Sequence, residues 1–348
     1  MDDVALKFPI SYENSMNTIL QQELMRFNAL LVMAKQSLST VKRAVNGLVV
    51  MTQELERLAT SLLNGQVPQM WKAVSYPTLK PLSSYVADLV ARISFLSSWI
   101  TNGQPRVYWI SGFFFTQSFL TGTRQNHARK YGLDIDTISF DFFVRREMQA
   151  DDIFVKSPKD EVVQGGAGKE ELAKEEPYQE PVLEDSCLIY GLFMDGARWR
   201  ILPLASAEGR GATAVGESAH KENGAEAKPK AEPVTSEDAG NGETEEVIEG
   251  SARKVPRKPT GYIDESLPQQ LFFKMPIIAL MPSVSADIDD TRHQYSCPVY
   301  KTTLRRGTLS TTGHSTNYVM AVQLPMDQKH SQRYWVKRGV AMVCSLDE

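Results

Sequence analysis

Apolar side chains recur at helical spacing through the first 130 residues. From about Ser15 to Val45 they fall at steps of three, four or seven residues, which places them on one face of a helix. Further helices are predicted at 52–64, 82–102 and 116–130, with Thr52 as an N-cap residue type and Gly65, Gly103 and Gly132 as helix stops. The residues expected to pack are Met16, Leu20, Leu24, Phe27, Leu31, Leu38 and Val41 in the first helix and Leu82, Val86, Leu89, Ile93, Leu96 and Ile100 in the third.

After Gly132 the apolar period changes to two, which is typical of strands. The Asp195-Gly196 pair between two apolar runs predicts a hairpin, and Pro276 predicts an edge strand or a bulge. Helices first and strands second indicate an α+β fold, and hairpin-connected strands indicate an antiparallel barrel or sandwich. The candidate strands are 138–144, 187–194, 197–201, 272–280, 318–324 and 340–346.

Two polar segments interrupt the region of predicted strands. Residues 157–181 hold seven acidic residues against three lysines, and residues 206–260 hold eleven acidic against eight basic residues and no aromatic residue. Such segments bury too little apolar surface to offset the entropy lost on ordering the backbone. We therefore predict two disordered inserts, at 157–181 and 206–260.

Composition excludes several classes of protein. A net charge of −4 argues against a nucleic-acid binder, and no apolar run is long enough to span a bilayer. Two acidic residues in the first three positions argue against a signal peptide. Three widely spaced cysteines form no CxxC pair, and the five histidines form no metal motif. We expect a reduced, cytosolic protein with no metal, no cofactor, no nucleic-acid partner and no membrane partner.

Two segments suggest catalysis at first sight, and both depart from the motif they resemble. The segment 165–169 (GGAGK) is similar to a P-loop, but Val163 stands where the first glycine belongs and Glu170 where a Ser or Thr should bind magnesium. In 305–317 (RRGTLSTTGHSTN), Ser310 could act as a nucleophile with His314 as its base. The spacing is not that of a nucleophile elbow, so a hydroxyl-rich turn explains the same residues. We predict no catalytic residue.

Two other clusters leave alternatives open. Arg305, Arg306, Lys337 and Arg338 form a basic patch that binds phosphate or tubulin, a solvated face, or a set of internal ion pairs. The aromatic run Trp109–Phe115 (WISGFFF) is too apolar to remain exposed. It is either the core junction between the helices and the strands or a docking face for another domain.

Seven segments carry the most distinctive residue patterns of the chain. They are Tyr12–Glu23 (YENSMNTILQQE), Ala59–Trp71 (ATSLLNGQVPQMW), Tyr76–Leu96 (YPTLKPLSSYVADLVARISFL), Trp109–Val144 (WISGFFFTQSFLTGTRQNHARKYGLDIDTISFDFFV), Tyr190–Trp199 (YGLFMDGARW), Cys297–Val319 (CPVYKTTLRRGTLSTTGHSTNYV) and Trp335–Asp347 (WVKRGVAMVCSLD). Together they resemble the C-terminal region of dynein heavy chains, and more closely the axonemal than the cytoplasmic type.

The resemblance implies a fold and a role. It implies a helical subdomain at 1–132 and a small antiparallel β-barrel subdomain at 133–348, interrupted by the two inserts. It also implies a non-catalytic domain that braces the AAA+ ring and modulates microtubule-based motility. The implied partners are the AAA+ ring, in cis or in trans, and other dynein subunits, with microtubules contacted only indirectly. The expected location is the cytoplasm and the axoneme of cilia or flagella.

The sequence leaves two questions about this resemblance open. The chain begins with Met just ahead of the domain, so it is either a fragment or partial gene model of a heavy chain or a separate small protein derived from one. A separate protein would be an adaptor whose acidic inserts bind partners and fold on binding.

Overall fold

A computed structural model describes residues 2–146, 185–202, 259–284, 293–309, 316–327 and 329–347. Within these ranges there are seven α-helices and eleven strands, so the α+β class is confirmed. The helices are α1 Asp2–Lys7, α2 Ser15–Val45, α3 Gln53–Leu63, α4 Gln69–Lys72, α5 Leu82–Asn102, α6 Thr116–Tyr131 and α7 Gln332–Arg338. The strands are β1 Val107–Trp109, β2 Ile138–Val144, β3 Cys187–Tyr190, β4 Phe193–Asp195, β5 Ala197–Ile201, β6 Gly261–Glu265, β7 Phe272–Lys274, β8 Ile278–Val284, β9 Gln294–Tyr300, β10 Tyr318–Pro325 and β11 Ala341–Val343.

Local capping explains where the long helices begin and end. The Asn14 side chain accepts a hydrogen bond from the Met16 N–H at the start of α2, and Thr52 accepts one from Leu55 N–H at the start of α3. Each bond satisfies a backbone donor that has no partner within the helix. Gly132 follows α6 in the left-handed conformation, as predicted.

The buried face of α2 differs in part from the predicted stripe. Phe27 and Leu30 are buried, but Leu31 and Leu38 are exposed. Ser37 takes a core position instead, because its hydroxyl accepts a hydrogen bond of 2.9 Å from the Trp71 indole N–H. A polar residue is thus stable on the packed face, since its bonding capacity is satisfied there. In α5 the prediction of a packed Val86 is also wrong, as this residue is exposed.

The strands form three sheets. A four-stranded sheet has the order β1-β3-β8-β2, a five-stranded sheet has the order β10-β9-β11-β4-β7, and β5 pairs with β6. The β1–β3 and β11–β9 pairs are parallel. The predicted antiparallel barrel is not confirmed, because the strands of the described ranges close no barrel and include these parallel pairs.

Two local strand predictions are corrected. No β4–β5 hairpin forms at Asp195-Gly196, because β4 pairs with β11 and β7 whereas β5 pairs with β6. The run 272–280 is two strands that belong to different sheets, with Pro276 in the connection between them.

One hydrophobic cluster joins the helices to the sheets. It includes Leu20 of α2, Leu96 of α5, Ile189 of β3 and Val299 of β9. The segment 1–132 also contributes strand β1 to the four-stranded sheet. The division into subdomains at 132/133 stays a prediction. None of the helices within the described ranges combines the length and the hydropathy needed to cross a bilayer.

Arg146, the last described residue before the first polar segment, lies beside the described residues that flank the second. The Arg146 guanidinium donates to the Leu202 carbonyl at 2.7 Å, and the Leu202 N–H donates to the Thr260 carbonyl at 2.8 Å. Thr260 is buried and its hydroxyl donates to the Val144 carbonyl, so the prediction of disorder through residue 260 is wrong at this residue. Residues 157–181 and 206–258 of the predicted inserts lie outside the described residues.

Candidate functional site: the junction of helices and sheets

The candidates for catalysis fall outside the described residues. Ser310, His314 and the segment 165–169 all lie there. In the part of the protein that the structure does describe, no group of three His, Cys, Asp or Glu side chains is placed to hold a metal ion. Burial raises the pKa of the Cys187 thiol to about 12 and that of the Cys344 thiol to about 11. These thiols are therefore poor nucleophiles, since the thiolate is the reactive form.

Two members of the predicted basic patch make internal ion pairs. The Arg305 guanidinium pairs with the Asp195 carboxylate and donates to the Gly339 carbonyl, so it joins three segments of the chain. Arg338 lies 3.5 Å from the Glu265 carboxylate and donates to the Tyr334 hydroxyl at 2.9 Å. For these two arginines the interpretation as internal ion pairs is confirmed.

The aromatic run 109–115 lies where α5 and α6 meet the four-stranded sheet. Ile110 is fully buried, and the Phe113 ring stacks on the Phe119 ring at 4.8 Å between centroids. The Trp109 ring meets the Phe95 ring edge-on at 6.2 Å. The interpretation of this run as a core junction is confirmed, except at Phe115, which is 42% exposed.

A buried guanidinium binds this junction to α5. Arg92 forms an ion pair with Asp88 at 2.7 Å and donates to the Phe113 carbonyl at 3.3 Å. Its guanidinium carbon lies 3.8 Å from the centre of the Tyr76 ring, which is a cation–π contact. Arg92 is almost completely buried, so its guanidinium has lost its hydrating water. These contacts offset that loss.

A buried carboxylate binds the same run to α2. Glu23 accepts hydrogen bonds from the backbone N–H groups of Phe114 and, at 3.0 Å, Phe115. These residues immediately precede α6, which has no acidic residue in its first turn. Glu23 therefore supplies from another helix the negative charge that a helix N-terminus favours. Burial nevertheless raises its pKa, outweighing the two backbone bonds and the Arg26 guanidinium that lower it.

A glycine closes the junction on the side of the sheet. The Ser111 hydroxyl donates to the Gly191 carbonyl, where β3 ends. Gly191 has φ +93°, and a Cβ atom at this position would lie 2.5 Å from Cδ1 of Trp109. Only glycine fits, because it lacks the side chain that both the φ angle and the indole exclude.

A polar cleft of about 450 Å³ lies between α2 and α6. Its charged group is Arg129, which donates to the Ser15 hydroxyl at 2.8 Å and packs on the Tyr12 ring. The rest of its lining consists mainly of neutral hydroxyl and amide side chains. His127 on α6 is buried, its ring lies 4.7 Å from the Tyr131 ring, and burial lowers its pKa.

The comparisons with known proteins decide the family. The family model that describes the C-terminal domain of the dynein heavy chain matches residues 1–206 and 256–344. The protein belongs to this family. The match passes over 207–255, within the second predicted insert, but it runs without a break through 157–181. For this dynein domain, the resemblance carried by the seven segments is confirmed.

Axonemal dynein heavy chains are among the proteins similar to this chain. The chain is 40% identical over 347 residues to dynein axonemal heavy chain 1 of Rattus norvegicus and 40% identical over 349 residues to dynein axonemal heavy chain 3 of Mus musculus. It is 37% identical over 342 residues to dynein axonemal heavy chain 12 of Homo sapiens. These matches cover 98–100% of the present sequence but only 6–8% of the length of the relatives.

Sequence reasoning missed the two charged residues of the dynein domain's junction. Glu23 lies among the apolar residues of the first helix, and Arg92 lies among those of the third. A charged residue inside an apolar stripe lowers stability unless it is paired. The place of Glu23 and Arg92 within such stripes could therefore have indicated that each has a buried partner. What the charges bind, the backbone of 113–115, could not be read from spacing.

Proposed function

We propose that this protein serves as the non-catalytic C-terminal domain of an axonemal dynein heavy chain. It braces the AAA+ ring and modulates the microtubule-based motility of the parent motor. Its partners are the ring, in cis or in trans, and other dynein subunits, and it contacts microtubules only indirectly. Its location is the cytoplasm and the axoneme of cilia or flagella. The family match and the similarity to axonemal heavy chains support this proposal.

The observation that carries the proposal is the junction at 109–115. Bracing requires a body that transmits force from one ring module to another without deforming. Arg92 binds the junction to α5, Glu23 binds it to α2, and Ser111 binds it to the sheet. Since one hydrophobic cluster underlies all of these contacts, the helices and the sheets should move as a unit.

ATP hydrolysis, in this proposal, belongs to the longer part of the heavy chain. The relatives are many times longer than this protein, which leaves ample room there for the motor's nucleotide sites. The adaptor alternative depends on the acidic segments 157–181 and 206–260, and the family match does not favour it.

The test compares three preparations of human dynein axonemal heavy chain 1, a relative 41% identical to this protein. They are the complete motor, the motor ending before its C-terminal domain, and the shortened motor with the 348-residue chain added. We expect shortening to change microtubule gliding velocity and stimulated ATP turnover, and the added protein to shift both towards the values of the complete motor. Unchanged motility on shortening, or ATP turnover by the purified 348-residue protein alone, would refute the proposal.

A further inference from the structure

The second half of α2 carries apolar residues that remain partly exposed to solvent. Leu31, Leu38 and Val45 follow one another at seven-residue steps, so they lie along one side of the helix. Their exposed fractions rise from 37% through 44% to 67%. We call these three residues the outer stripe. It is distinct from the buried face of α2, on which Leu30, Ser37 and Ala44 lie.

The outer stripe has basic neighbours. Lys35, Lys42 and Arg43 lie on the same half of α2, and their side chains are at least partly exposed. The one acidic residue in α2 is Glu23, which is buried and bound to the backbone before α6. A surface that is apolar along its centre and positive beside it selects a partner with acidic residues flanking an apolar face.

The spacing also limits the shape of the partner. Helices that pack along each other use two apolar positions in every seven residues: the outer stripe supplies one, and Ala34 and Val41, which are partly buried against the core, supply the other. From Leu31 to Val45 the helix rises about 21 Å, the length of a partner helix of about four turns. The outer stripe therefore fits an amphipathic helix better than a loop or a single side chain.

We propose that the outer stripe docks an acidic amphipathic helix of the AAA+ ring of the heavy chain. This inference rests on the proposed function and names the surface that it uses. The relatives extend far beyond this domain, so in such a protein the ring that the proposed function requires belongs to the same polypeptide chain. Attachment in one chain raises the effective concentration of the partner helix. A modest apolar surface is then enough to hold the two together.

The experiment measures binding of the 348-residue protein to human dynein axonemal heavy chain 1 that ends before its C-terminal domain. The double substitution Leu38→Glu and Val45→Glu should weaken binding at least about tenfold. The matched control is Val336→Glu on α7, because Val336 is 60% exposed and Val45 67% exposed. The control should bind as the unsubstituted protein does. A second variant, Leu38→Ala with Val45→Ala, retains helix propensity and should also weaken binding, with an unaltered thermal melt.

A further variant tests the charge of the partner. Lys42→Glu with Arg43→Glu should weaken binding most at low salt, because exposed charges are screened as salt rises. Binding that is unchanged in the outer-stripe variants would overturn the inference, while the gliding assay would still test the proposed function. Failure of the unsubstituted protein to bind would overturn both. Self-association lost in the outer-stripe variants, or microtubule binding lost only in the charge variant, would assign the surface to a different partner and overturn the inference.

Discussion

Replacing Gly191 by alanine should destabilise the protein through two separate effects. At φ +93° a residue with a Cβ atom is strained, at a cost of about 1–2 kcal/mol. The new Cβ would also lie 2.5 Å from Cδ1 and 2.6 Å from Nε1 of Trp109, which must then move. Forcing an extra methyl group into a packed site costs about 1–3 kcal/mol. We therefore expect a total loss of about 2–5 kcal/mol.

Two control glycines separate these effects. Gly132 has φ +66°, and a methyl group added there would meet no other atom within 4 Å, so Gly132→Ala should show the cost of φ alone. Gly112 lies outside the left-handed region but has a Trp109 atom 2.6 Å from where its Cβ would be, so Gly112→Ala should show the cost of the contact alone. The assay is the free energy of unfolding in urea for each variant. The explanation is refuted if Gly191→Ala is no more destabilising than Gly132→Ala.

Two further predictions concern the packed helices. Leu89→Ala should lower the free energy of unfolding by about 2–5 kcal/mol because Leu89 is buried. Val90→Ala, at a position 57% exposed, should change that free energy little. Equal losses for the two variants would contradict the core assignment. Burial raises the pKa of Glu23, so the folded protein holds its proton more tightly than the unfolded protein. The stability of the unsubstituted protein relative to Glu23→Gln, measured in urea titrations, should therefore fall as the pH rises above the ordinary titration range of a glutamate. A relative stability that rises with pH would show that the pKa is lowered.

Helix ends are the part of the fold most accessible from sequence. Thr52 at the start of α3 and Gly132 after α6 are both predicted from residue type, and both are confirmed. Capping and left-handed stops depend on a few adjacent residues, so the sequence alone contains the needed information.

Sheet pairing is much less accessible. A strand as short as β1 has no period to detect, and its partner β3 lies far along the sequence, with Val107 opposite Leu188. The Asp195-Gly196 turn has a typical turn glycine, with Gly196 at φ +79°. Which sheet each flanking strand joins is decided by distant segments, so the local hairpin signal is misleading.

The sequence predicts the apolar content of the junction but not its polar contacts. Its apolar content marks 109–115 as a core element, because such a run is too costly to leave exposed. Its polar contacts depend on the tertiary arrangement, since Glu23 and Phe115 are separated by 92 positions in the sequence. The same limit applies to Ser37, whose burial becomes favourable only when Trp71 is beside it.

The pairing of β5 with β6 explains why the family match can be interrupted where it is. Ile201 lies directly opposite Gly261, and Leu202 is bonded to Thr260, so the backbone departs and returns at neighbouring points. The entropy of closing such a loop grows only with the logarithm of its length, by about 0.6 kcal/mol for each doubling. A change in the number of residues between Leu202 and Thr260 should therefore cost little free energy, and a reporter domain with adjacent termini inserted here should leave the β5–β6 pair and the junction unchanged.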